Sequence, residues 1–173
     1  MPALEQTPSR RRLVFHDLHE VIRDAESLRS AGYERAGNWD LAQVCGHLAE
    51  WVRYPLDGFP RAPALLRPVL WGLRTTIGPR KLQRSLKSRS MPSGLPTIPE
   101  SIPPAGGEES AAVERLRQVI ERFETHDGPL HPSPLFGALD HETAREMHLM
   151  HCAHHLSFLV PKSAENNELE AGG

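Results

Sequence analysis

With 173 residues, 39% of them hydrophobic and 24% charged, the chain can build one domain with a buried core. A net charge of −2 excludes a polycation that binds nucleic acid by bulk charge, and no apolar run is long enough to span a membrane. Two cysteines, Cys45 and Cys152, are too few for a disulfide framework, and MPALEQTPSRRR lacks the apolar stretch of a signal peptide; free thiols and a cytoplasmic location are the expectation.

Residues 1–10 and 163–173 have no apolar periodicity and read as disordered tails around a single domain, 11–162. Phe15, Leu18, Ile22, Ala25 and Leu28 recur at spacings of three and four, which predicts a helix from Leu13 to about Arg29 with Gly32 just beyond its end. A second helix is predicted from Asp40 to about Tyr54. Asp40 and Gln43 have capping-box spacing, Leu41, Val44, Leu48 and Val52 form one stripe, and Pro55 is expected to end it.

Residues 61–107 read as an insertion. Its first part is apolar and basic, and Pro68 and Gly78-Pro79 divide it into two short helices. Prolines 92, 96, 99, 103 and 104 then predict an extended loop from Met91 to Gly107. Val113, Leu116, Ile120 and Phe123 place a third main helix at Glu108 to about Phe123. Asp140 caps a fourth, from His141 to about Leu159, before Pro161. Little or no sheet is expected. The fold class is therefore all-α: a four-helix bundle with a helical, basic, proline-rich insertion between its second and third helices.

Ten histidines are many for this length, and four lie between His148 and His155. His151 and His155, four apart, share one helix face with Cβ atoms roughly 5–6 Å apart, a spacing at which two imidazoles grip one metal ion. Catalytic zinc sites commonly use three protein ligands. His47, flanked on its helix by Val44, Leu48 and Trp51, is the best third. His148 is a substitute on nearly the same face, His154 lies on the neighbouring face, and Cys152 with His148 is a less favoured soft-metal pair. Cys45 reads as a small core residue, and Glu50 as a surface charge first, with a partner behind the ligands or a base as the alternatives.

Residues 58–99 hold Arg61, Arg67, Arg74, Arg80, Lys81, Arg84, Lys87 and Arg89 but no acid. This suits a lid for an anionic substrate, a contact for acidic lipid or nucleic acid, or a solvated basic face, the last being preferred. The loop 91–107 either covers the metal or is a bare tether.

NWDLAQVCGHLAEW resembles the second-helix motif of the DinB-like superfamily (also called YfiT-like), and MHLMHCAHHLSFL its last-helix signature. HPSPLFGALDHETAREMHLMHCAHHLSFL, with MPSGLPTIPE upstream, is closer still to one subfamily carried as a domain of unknown function. The resemblance covers about residues 10–162. It implies an up-down-down-up bundle, a divalent ion with zinc or nickel foremost, and His47, His151 and His155 as its ligands. Relatives include thiol-dependent transferases and isomerases, so it implies a small-molecule substrate, a low-molecular-weight thiol among the candidates, and homodimers. A metal-dependent transferase, isomerase or hydrolase is the leading expectation; no general base is assigned. A non-enzymatic binding or dimerisation module with structural histidines is the second. Nucleic-acid partnership is not expected.

Overall fold

The computed structural model describes residues 8–89, 91 and 98–162. Residues 1–7 and 163–173 of the two expected tails, residue 90, and 92–97 of the expected loop lie outside the described residues. The chain is mostly helical: α1 (Leu18–Ala31), α2 (Leu41–Asp57), α3 (Arg67–Thr76), α4 (Gly78–Ser88), α5 (Glu109–Glu124) and α6 (His141–Leu156). Single turns of 3-10 helix occupy Ala64–Leu66 and Pro99–Ser101. No described helix is long and apolar enough to cross a membrane.

The apolar stripes read from the sequence make one core. Leu18, Ile22, Ala25 and Leu28 of α1 meet Leu41, Val44, Leu48 and Val52 of α2, Val113, Leu116, Ile120 and Phe123 of α5, and Leu149, Cys152 and Leu156 of α6. The contact between α2 and α5 is the most extensive. Burial of that apolar surface is the main driving force for assembly, each fully buried leucine contributing about 2 kcal/mol.

Local chemistry sets the helix ends. α1 begins five residues later than expected, because the Asp17 side chain accepts from the Glu20 N–H (2.8 Å) and caps it there, leaving Phe15 to reach the core from extended chain. In α2 the capping box forms as read: Asp40 accepts from the Gln43 N–H at 2.7 Å, and the Asp40 N–H donates to Gln43 Oε1 at 3.3 Å. Asp40 also accepts from the Gly106 N–H (2.9 Å), so one carboxylate caps the helix and pins the returning loop. Asp40→Ala is expected to lower stability by about 1–2 kcal/mol, measured by urea unfolding, with Asp40→Asn recovering most of the loss. An unchanged urea midpoint would remove this carboxylate from the account.

Two expectations need correction. Pro55 does not end α2, which runs on to Asp57. So near the terminus the missing N–H costs one bond of the last turn; the Gly58 N–H still reaches Tyr54 O (2.8 Å), and the Pro55 carbonyl accepts from the His131 N–H (2.7 Å). Nor does the last helix reach Leu159. It stops at Leu156, and Leu159–Pro161 (β2) pairs antiparallel with Tyr33–Arg35 (β1), Arg35 opposite Leu159. This ribbon ties the end of α6 to the turn after α1. Arg10 and Arg11 secure the same corner: Arg10 bonds to Ser157 and His154, and Arg11 forms a bidentate pair with Asp24 at 2.8 Å and reaches Leu156 O.

Residues 67–88 form two helices as expected, with Pro68 and Pro79 in their first turns rather than breaking them. α3 and α4 pack on each other. The start of α4 rests against the 133–137 turn so closely that a Cβ on Gly78 would stand 2.0 Å from the Leu135 carbonyl oxygen; only glycine fits there.

Candidate metal centre

Helical spacing puts His151 and His155 one turn apart on α6, their ring centroids 4.7 Å apart. The α2–α6 contact brings His47 against both, at 5.2 Å and 4.6 Å between centroids. One nitrogen from each of the three lies within 4.8 Å of the other two. His47 is almost wholly buried, 1% exposed; His151 and His155 are partly buried.

Two tryptophans frame the cluster. Trp39, just before the α2 cap, stacks on His155 at 5.3 Å with the rings 7° from parallel and meets His47 edge-on at 5.0 Å. Trp51, one turn after His47, lies edge-on to His151 at 5.2 Å. Both limit how the imidazoles can turn and shield them from water.

Ser101 determines which nitrogen His47 presents. The Ser101 hydroxyl donates to Ile98 O at 2.7 Å, so its proton is committed. His47 Nδ1 lies 3.0 Å from both the carbonyl and the hydroxyl oxygen of Ser101 and is therefore the N–H donor. Its Nε2 then carries the lone pair, 3.4 Å from His151 Nε2. A backbone oxygen behind a histidine is a common way to fix the tautomer and direction of a ligand. The 98–103 segment can come this close because Gly46 has no side chain; a Cβ there would stand 2.7 Å from the Pro103 ring. The described end of the proline-rich stretch is thus more than a bare tether: it packs behind His47.

The electrostatics favour neutral rings. Burial lowers the His47 pKa to about 4, with the Ser101 bond pulling the other way. Burial, then the neighbouring imidazoles, lower His155 to about 3 and hold His151 well below its ordinary value. Neutral imidazole is the metal-binding form. The spacing also fits: two nitrogens bound tetrahedrally to one ion with bonds of about 2.0–2.1 Å stand about 3.3 Å apart, close to the 3.4 Å between His47 and His151. A buried set of three neutral imidazoles suits zinc, nickel, copper or iron better than calcium or magnesium.

The other candidates lie elsewhere. His148 is buried edge-on to Phe123 at 4.9 Å. His154 turns to Arg10 and Phe158. Cys45 and Cys152 are core residues whose thiols burial pushes up, Cys152 to about 12, so neither supplies a thiolate. Glu50 is engaged by Arg53 (2.6 Å) and Arg115, which joins α2 to α5. Sequence reasoning missed Ser101, a lone serine among prolines without periodicity to mark it.

A family model described as "Protein of unknown function (DUF1569)" matches residues 7–162. No curated protein and no solved structure matches the chain.

Proposed function

We propose that this chain, which belongs to the DUF1569 family, is a divalent-metal-binding protein of the DinB-like type that acts on a small molecule. The four long helices α1, α2, α5 and α6 would form the four-helix bundle of one domain, with residues 61–107 as its insertion. His47, His151 and His155 would hold the ion. The observation that carries the reading is the meeting of three imidazole nitrogens within 4.8 Å from two helices, with the His47 ring held by Ser101 so that its lone pair faces His151 Nε2.

A divalent ion held by three protein ligands keeps a position for water or a thiol and lowers that ligand's pKa toward neutrality. The protein's own part is preparation. Burial keeps the three rings unprotonated near neutral pH. Ser101 holds the His47 tautomer, and Trp39 and Trp51 restrict ring rotation and exclude water. Resemblance of the two histidine motifs to DinB-like relatives supports a thiol-dependent transferase or isomerase; a hydrolase would use the same metal chemistry.

Titrating tag-free, chelator-stripped protein with zinc or nickel is the test. One equivalent should bind, and nickel should quench the fluorescence of Trp39 and Trp51, whose rings lie about 5 Å from the histidines. Protein that binds no equivalent and gains no thermal stability from either ion would leave the histidines structural. Ser101→Ala still offers its carbonyl to Nδ1, so its effect is modest, about tenfold weaker binding; Ser101→Pro, which displaces the turn, should cost more.

A further inference from the structure

The insertion carries a segregation of charge that the metal centre does not use. Between Gly58 and Arg89 there are eight arginines and lysines and no acid, so the rest of the chain has a net charge of −10. All eight cations are exposed. Among the described residues only Arg89 has an ion-pair partner, Glu146 at 3.7 Å. Arg80, Arg84 and Lys87 follow at i, i+4 and i+7 on α4, while Leu82 and Ser85 of that helix turn inward.

Beside this basic face is an apolar one. α3 has no buried residue. Leu65 is 90% exposed and Trp71 68%, with Leu66, Val69 and Ile77 also exposed. These side chains contribute little to the core. At helical spacing Leu66, Val69 and Ile77 share one side, while Trp71 lies across from Val69 beside Arg67 and Arg74; exposed apolar side chains flanked by cations mark a contact site.

The two faces together select the partner. A duplex nucleic acid would satisfy the cations but leave the leucines and Trp71 in water. A second copy of the chain joined through the same surface would cover these apolar side chains while setting its cations against the same cations. An anionic lipid surface takes both: Leu65, Leu66 and Val69 enter the boundary with the acyl chains, and Trp71, beside Arg67 and Arg74, sits at the headgroup level, where tryptophan is favoured and the cations meet the headgroups. We infer that the α3–α4 insertion docks the protein reversibly on an anionic membrane surface, lying on the bilayer without spanning it.

The experiment is co-sedimentation of the full chain with phosphatidylcholine vesicles and with vesicles containing about a third phosphatidylglycerol. Binding should be on the order of tenfold or more tighter to the anionic vesicles, should weaken with salt, and should shift Trp71 emission to the blue. Neutralising Arg80, Arg84 and Lys87 together (each to Gln) should weaken it about a hundredfold, near fivefold for each charge. The double variant Leu65→Ser/Trp71→Ser should abolish binding and blue shift while leaving circular dichroism and metal content unchanged, since both positions are exposed. Equal binding to both vesicle types, or binding untouched by both variants, would overturn the inference. So would a parent that ignores vesicles but binds duplex DNA, or one that forms a dimer which the double variant breaks.

Discussion

Alanine at His47, His151 or His155 is expected to weaken binding of zinc or nickel by about a hundredfold or more. Structural zinc sites in small peptides gain about 10–16 kcal/mol from four ligands, so one ligand is worth roughly 3 kcal/mol, and every 1.4 kcal/mol is a factor of ten. The parent should gain about 2.7 kcal/mol of stability at a hundredfold excess of ion over its dissociation constant, and the three variants should lose that gain at the same concentration. His154→Ala is the control: this ring lies outside the cluster and bonds to Arg10, so affinity should stay near that of the parent. Because His47 is buried, His47→Gln, which fills more of the space, separates lost affinity from lost folding. Retention of parental affinity by all three alanine variants would defeat the assignment, and equal loss in His154→Ala would move the site.

Acid should destabilise the metal-free protein through His148 in particular. Burial, and then the charge of His141, hold its pKa at about 4, and its Nε2 has no hydrogen-bond partner among the described residues. In the unfolded chain it would titrate near 6.5. The unfolded state therefore binds the extra proton between these values, so the folded state's advantage is complete above pH 6.5, falls as pH falls and is gone below about 4. A difference of 2.5 pH units amounts to about 3 kcal/mol, a large part of a typical 5–15 kcal/mol total. His148→Leu keeps the volume nearly constant and removes the proton. At pH 7 it should unfold close to the parent; at pH 4.5 it should be more stable by about 2–3 kcal/mol, some 5–10 °C in Tm for a domain of this size. Thermal melts in chelator at the two pH values decide it. His47, His151 and His155 leave a residual slope in both proteins, so the readout is the difference between them. Parallel pH dependence would mean that His148 is not the group that charges.

The histidine constellation and the helices were legible for different reasons. Periodicity named most of the core because burial acts on every third or fourth residue: Leu18, Ile22, Leu48, Leu116 and Ile120 are all buried. Caps were legible because their chemistry is local, as at Asp40 and Asp140. The spacing of His151 and His155 follows from one turn of helix, whereas the approach of His47 depends on packing between helices; its apolar flanks made it the best candidate, and resemblance to a family reinforced the choice. Ser101 was illegible, since it meets His47 from 54 residues away. Leu159 looked helical because three strand residues are too few to show alternation, and their pairing partner lies at Tyr33–Arg35. Pro55 misled because a rule about helix interiors was applied to a last turn. The apolar and basic composition of 64–86 was legible, but not that Leu65, Leu66, Val69 and Trp71 stay exposed, since hydropathy alone does not distinguish a face that packs from one that does not.

His47 and His151 are separated by 104 positions in the chain. On the ribosome, His47 is made long before its partners, and the group is complete only when α6 has emerged. The carbonyl behind His47 arrives about midway. A partly synthesised chain thus holds only one of the three imidazoles of the group. Any premature stop before His155 yields a product without the assembled three-histidine group, so for the proposed metal centre ion binding would report whether synthesis and folding were finished.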